Sequence, residues 1–586
     1  MAALNLASQT ISRRGLVRGS VSVVGGLTAA ALFGCGSTKG APQGPAPSGA
    51  NQGQAATANA PAKRPYAFTI PASDKQPKKG GSVSVAVTAD IGSLDVSKSG
   101  ATGNLTPAGT TYETLLRRKM TTKDSELGGT PGQPAKDIEG HLAQSYEVTP
   151  DGLTYTFKLR PNIKWQNIAP LNGRPFTAED VAYAYKRYAT TGIWRQNFEN
   201  VDKITPVDAT TLKISLKRPS ADFIVPLAEQ NNPIQPRELV DNGQIDKVAI
   251  GTGPMILKER VDGQAIKYVR NPDYWGAAPN LDGFEFKIIP DAAATVAAFR
   301  AGQVIRASRS TPKDAEDVKN SVPGSAVTQS LYTKSVFFTA FNMTNAKFKD
   351  ERVRQAISLS IDRDAINGTL YDGLSNTLPT MPWNHVLDHE PVASELGKWW
   401  RYDLTEAKKL LQAAGQENFK FNWIYTPLYL NSQNDIIIDQ FRKAGFQVTP
   451  QQIEYVQFNA QLAKAQYDEA IQAWDPHGTQ ADNYFKAQVK TGAASNLFYI
   501  SDPQIDEWAD KQSVELDPQA RREILKRIWD RMLDKAYRVE HTNNTAFTIW
   551  QPWVHGQQWI VGNDGLGPSV FGYNNAQFVG NIWTEK

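Results

Sequence analysis

The chain has 586 residues, more than one hydrophobic core usually organises, so two or more lobes are expected. Of its 63 basic residues, Arg13, Arg14 and Arg18 lie in an acid-free stretch of 35 residues, which leaves 60 basic against 59 acidic in the remainder. That balance argues against nucleic acid as a partner, and a single cysteine, Cys35, excludes an internal disulfide and a thiolate metal site.

Ser12-Arg13-Arg14-Gly15-Leu16-Val17-Arg18 resembles a twin-arginine export motif. The Ala/Gly-rich stretch from Val21 to Phe33 is too short to span a bilayer as a stable helix. It ends in Leu32-Phe33-Gly34-Cys35, which resembles a bacterial lipobox with Cys35 as the lipidated residue. A protein processed there is anchored to the outer face of the cell membrane, not embedded in it. Residues 36–78 are rich in Gly, Pro, Ala, Ser and Gln and supply no core. They read as a flexible tether with a root-mean-square span of roughly 35 Å.

The ordered body begins with Gly81 to Val87, which alternates as a strand. Tyr112 to Leu116 starts the next element, and Met120 to Asp137 reads as a polar loop insertion. Tyr146 to Val148 and Leu153 to Leu159 form a hairpin around Pro150, Asp151 and Gly152. Thr177 suits the cap of a helix whose Val181, Ala184, Tyr185 and Tyr188 share one face. Leu212 to Leu216 is a strand, and Gly251-Thr252-Gly253-Pro254 lacks the Gly-Lys-Ser/Thr of a phosphate loop. Val336 to Asn342 is a strand, followed by a helix capped by Asp350. Then come units of alternating type: a helix from Thr405 as cap to Ala414, strand Phe421 to Tyr425, helix Ile436 to Ala444, a strand from Phe446, helix Phe458 to Ala465, and strand Tyr467 to Trp474. Gln519 to Lys535 is an amphipathic helix with Ile524, Ile528 and Leu533 inward.

Several runs share an order that resembles a known family. They are Leu142-Ala143-x-Ser145-Tyr146-Glu147, Asp151-Gly152-Leu153-Thr154-Tyr155-Thr156-Phe157-x-Leu159-Arg160, Lys164-Trp165, and Gly173-x-Pro175-Phe176-Thr177-Ala178-Glu179-Asp180-Val181. With Asn271-Pro272-Asp273-Tyr274-Trp275 and Phe348 to Ile357, they resemble the family 5 extracellular solute-binding proteins of ABC importers, over roughly residues 80 to 586. The resemblance implies an α/β, two-lobed periplasmic-binding-protein-like fold (type II, class C) with hinge strands and an extra subdomain in lobe one. After the signal peptide at 1–35 and the tether at 36–78, it places lobe one at 79–338, lobe two at 339–543 and the return to lobe one at 544–586. The first crossing falls near Phe337 to Phe341 and the second near His541 to Ala546.

It also implies a monomer that closes on a small solute, a peptide as first expectation, and delivers it to the permease subunits of an ABC transporter. No cofactor, metal or catalytic residue is expected: neither Gly-x-Ser-x-Gly nor His-Glu-x-x-His occurs, and His385 with His389 reads as a solvated loop before it reads as a metal pair. In peptide-binding relatives a strand ends in Trp, and an Asp three residues on pairs with the ligand's amino group. Here Trp474 matches, the third position is His477, and the acid is Asp475. Trp474, Asp475 and His477 are therefore candidate ligand contacts, together with Tyr112, Asn342 after the first crossing and Asn543 at the second. His541, Asn543 and Asn544 are polar where relatives tend to be apolar, which suits a polar ligand or a solvated hinge. A secreted two-lobed hydrolase, or a binding protein serving a sensor, are the alternatives.

Overall fold

In a computed structural model of the chain, the described residues are 70, 73–88, 90, 92–98, 108–121, 138–331, 337–375, 377–379, 381–389, 391–474, 480–543, 545–557, 560–561 and 579–586. The signal peptide and Cys35, most of the tether, the insertion after Thr121, and Asp475, His477 and Asn544 lie outside them.

The first body holds two four-stranded sheets. In one, β1 (Ser82–Val87) pairs in parallel with β8 (Gly283–Ile288), which continues antiparallel to β7 (Ala265–Arg270) and β6 (Met255–Val261). The other is fully antiparallel, in the order β2 (Ala143–Val148), β3 (Thr154–Leu159), β5 (Thr211–Leu216), β4 (Val201–Asp208). Its first two strands are the expected hairpin, with Gly152 at φ +70° in the turn, a conformation costly for a residue with Cβ. Helix α1 (Ala178–Thr191) is fixed at its start by Asp180, whose carboxylate accepts the Thr177 N–H at 2.9 Å, an indole N–H from Trp165 at 3.3 Å and the fork of Arg174. The ordered motif residues of this region thus meet at one carboxylate.

Helix α2 (Ala292–Arg300) leads to β9 (Arg306–Arg309), and α3 (Pro312–Ser321) leads to β10 (Ala326–Leu331). Both strands flank β16 (Thr545–Trp550), which arrives from the far end of the sequence.

The second body is built on a five-stranded sheet in the order β13 (Gln447–Gln452), β12 (Lys420–Tyr425), β14 (Ala470–Trp474), β11 (Phe337–Phe341), β15 (Arg538–Glu540). β13, β12 and β14 run parallel, and β11 runs antiparallel to both β14 and β15. The helices in chain order are α4 (Glu351–Leu359), α5 (Arg363–Tyr371), α6 (Leu404–Ala413), α7 (Pro427–Lys443), α8 (Tyr455–Ala463), α9 (Ala481–Phe485), α10 (Pro503–Val514) and α11 (Pro518–Asp534). They cover two apolar clusters, one around Phe338, Ile471, Tyr484 and Trp529, the other around Phe341, Trp423, Ile437 and Phe441.

Three local expectations are corrected. The cap of α6 is Asp403, whose carboxylate accepts the Glu406 N–H at 2.9 Å, and Thr405 sits in the first turn. Helix α7 starts at Pro427, nine residues before the expected Ile436, because proline is well tolerated at the first helical position. On α11 the inward residues are Arg521, Leu525, Ile528, Trp529 and Met532; Ile524 and Leu533 are half-buried.

The chain passes between the bodies twice. On the first body's side, Leu331 and Thr545 are cross-strand partners. On the second body's side, the His541 N–H donates to the Phe337 carbonyl at 3.0 Å. Both connections therefore meet the five-stranded sheet at one edge, where β12, β14 and β15 end and β11 begins.

Candidate functional site

The carboxyl edge of a sheet with parallel strands is where loops converge and ligands are usually held. Here that edge carries uncharged polar side chains under the N-terminal half of α7. Thr339 of β11 lies directly opposite Gln472 of β14. Gln472 donates to the Asn434 side chain at 2.6 Å, and Asn434 donates to the Thr426 carbonyl at 3.3 Å. Gln433 donates to the Thr542 carbonyl at 3.0 Å. The Thr339 hydroxyl and His541 Nε2 are 3.0 Å apart. All of these residues are at most 1 % exposed.

The cluster is not saturated among the described residues. His541 Nδ1, Trp423 Nε1, Thr426 Oγ1 and Gln433 Oε1 are buried without a hydrogen-bond partner there. Such groups are expensive to leave unpaired. The Trp423 and His541 rings meet edge to face, with centroids 6.1 Å apart. Burial, and then the charge of Arg363, push the His541 imidazole down to about 3, so the ring is neutral at ordinary pH. The arrangement offers amides, hydroxyls and a neutral ring, chemistry suited to uncharged polar groups.

Trp474 is the last residue of β14 and pairs with Phe337 at this edge. Asn543 follows His541 and is fully buried; its carbonyl accepts from the Ser375 hydroxyl. Two other candidates are placed elsewhere. Asn342 follows the opposite end of β11, about 17 Å along the strand from the edge. There its amide donates to the Tyr467 carbonyl at 2.9 Å and accepts from Thr344, so it shapes a turn. Tyr112 is 2 % exposed in the first body's core, where its hydroxyl faces the Val248 carbonyl at 3.4 Å. His385 is buried, not solvated, and exposed His389 sits between Asp388 and Glu395.

A second polar group, in the first body, has the look of an acid–base site. Glu113 is buried and accepts from the Thr252 hydroxyl at 2.8 Å, the Tyr274 hydroxyl at 2.7 Å and the Trp275 indole at 2.9 Å; His141 Nε2 is 3.1 Å away. Burial alone raises a carboxyl, but His141 and these donors outweigh it and hold Glu113 below the usual range. With both oxygens occupied, Glu113 is a structural knot. Tyr274 and Trp275 stand out in the sequence as part of a family motif, whereas Glu113, next to the singled-out Tyr112, carries no signal of its own.

Residues 137–496, more than half of the chain, match the family described as bacterial extracellular solute-binding proteins, family 5 Middle. The chain belongs to that family. This solute-binding protein is 25 % identical over 480 residues to heme-binding protein A of Haemophilus influenzae, an alignment covering 75 % of this chain and 82 % of the relative. It is 25 % identical over 435 residues to the dipeptide-binding protein of Escherichia coli, covering 68 % and 78 %. Among solved structures, the periplasmic binding protein DppA of Helicobacter pylori in complex with the peptide STSA superposes with a TM-score of 0.70 at 22 % identity, covering 87 % of this chain and 99 % of that one. NikA of Brucella suis with Fe(III)-EDTA gives 0.68 at 21 %, covering 80 % and 95 %. These likenesses establish the two-lobed fold of this solute-binding protein. Among its described residues no helix is long and apolar enough to cross a membrane.

Proposed function

We propose that this protein is the exported receptor of an ABC importer, closing two lobes on a peptide or similar polar solute and passing it unaltered to the permease. The observation that carries the reading is the family match over more than half of the chain. The neutral polar cluster at the carboxyl edge supports it, because amides and hydroxyls exchange hydrogen bonds with peptide units without requiring a ligand charge. Peptide comes first because relatives in Brucella, Escherichia coli and Bacillus subtilis carry peptide-binding names. Lobe one is assigned to 79–338 with 544–586, and lobe two to 339–543. Trp474, Asp475, His477 and Asn543 are the assigned ligand contacts; Asp475 suits a cationic group of the solute. Closure is favoured by contacts made only in the shut form, and no bond of the solute changes.

Native mass spectrometry of the purified protein, followed by incubation with a mixture of di-, tri- and tetrapeptides, tests this. An adduct of peptide mass, with intact peptide recovered on denaturation, is expected. Peptides cleaved in the mixture favour the hydrolase alternative, and no adduct with any peptide removes the peptide assignment. Export and anchoring are tested separately: Cys35→Ser is expected to move the protein from the membrane fraction to the soluble one. Retention in the membrane fraction sinks the lipid anchor.

A further inference from the structure

The two bodies also meet away from their connecting segments. Asp222, which follows β5 in the first body, precedes Phe223 and Ile224 of that body's core. Its carboxylate accepts from Arg521 of α11 at 2.7 Å and from the Asp482 N–H of α9 at 3.0 Å. Arg521 also donates through Nε and Nη2 to Gln512 of α10, at 3.2 and 3.0 Å. Arg521 is 1 % exposed and Asp222 is 3 % exposed. Beside them the Ala221 N–H donates to the Ser513 carbonyl at 3.3 Å, and a Cβ on Gly152 would lie 2.8 Å from Leu516 of the second body.

The position of this contact follows from the topology. Helix α11 leads back into β15, which ends at the connecting edge, so the start of α11 and the end of β15 lie toward the same side. Arg521 sits in the first turn of α11, about 20 Å along the axis from Lys535. It meets the first body at Asp222.

We propose that Asp222 and Arg521 form a latch between the lobes, a pair of positioning residues that set how far the protein rests closed without touching the solute. The proposal rests on the two-lobed closure reading. Opening exposes both charges to water at no desolvation cost, whereas the shut form buries them together. Arg521 Nη2 also stands 3.8 Å from the Asp482 carboxylate of its own body. A shut form without the Arg521 charge therefore holds two facing carboxylates with no cation between them, a large penalty, which removal of Asp222 as well relieves. Arg521→Gln is therefore more disruptive than the double change, and Asp222→Asn, which leaves Arg521 beside Asp482, is milder.

The test is a distance measurement that needs no ligand. In a Cys35→Ser background, which has no other thiol, spin labels at exposed Lys213→Cys and Lys408→Cys report the separation of the bodies. Arg521→Gln is expected to shift the closed-to-open ratio on the order of 100-fold toward the longer distance, and Asp222→Asn to shift it the same way by less. The double variant is expected to recover most of the short distance. Arg521→Lys, which keeps charge but not the fork, is expected to fall between and serves where Arg521→Gln does not fold. Unchanged distances in the folded single variants, or a double variant at least as open as Arg521→Gln, overturn the latch. Peptide adducts measured on the same variants keep the two questions apart: adducts with unchanged distances leave the solute-binding reading standing while the latch falls.

Discussion

Glu113→Ala is expected to lower the unfolding free energy by about 3–5 kcal/mol, the cost of breaking a buried charged group from its partners. Three donors and the His141 ring converge on this carboxylate; Glu113, Thr252 and His141 are buried, and Tyr274 and Trp275 are half-buried beside them. The aromatic shell adds to the penalty: Trp275 leans over His141 with ring centroids 5.9 Å apart, and Arg160 stands 5.5 Å from the Trp275 ring. Glu113→Gln keeps the volume and one acceptor oxygen, so a smaller loss is expected. Calorimetric melting of the three proteins checks the order wild type, Gln, Ala. An alanine variant that melts with the wild type would show that the knot holds nothing together. Glu113 lies in the first body's core, away from the carboxyl edge, so solute binding by folded Glu113→Gln is expected to be unchanged.

The second large effect is a dependence of stability on pH centred on His541. Its native ring is held neutral down to about 3, whereas in the unfolded chain it takes a proton near the ordinary 6.5. Between those values the unfolded state binds the extra proton, so acid favours unfolding. The contribution is complete above about pH 6.5 and is lost as pH falls, by about 1.4 kcal/mol for each pH unit. Between pH 6.5 and 5, before most carboxylates titrate, wild type is expected to lose about 2 kcal/mol from this residue. His541→Asn lacks the titrating ring and is expected to show a correspondingly flatter profile in denaturant melts across that range. Identical slopes in the two proteins would place the proton elsewhere.

The sequence and the fold agree best where a side chain has one local job. The hairpin at Asp151-Gly152, the cap at Asp350 and the strand Phe421 to Tyr425 follow from turn chemistry and alternation, and they occur where expected. The start of α7 was missed because residues 427–435 mix polar and apolar residues without a clear stripe. The polar side chains of that stretch, Gln433 and Asn434, are the ones that meet the carboxyl edge, so one irregularity hid both the helix and half of the cluster. His541 and Asn543 stood out because they are polar where relatives tend to be apolar. Adjacency of Asn342 to a crossing strand does not say at which end of the sheet it lies; the antiparallel course of β11 decides that. Arg521 is invisible to periodicity, since a charged residue on an inward stripe is read as a break until its partner, 299 positions earlier in the chain, is known.

The pairing of Leu331 with Thr545 on one side and of Phe337 with His541 on the other gives the two linking segments a common fate. Each is tied to the other where it leaves the first body and again where it enters the second. Drawing the two apart would break the cross-strand pairing on one side or the bond from His541 on the other, so what displaces one displaces its companion.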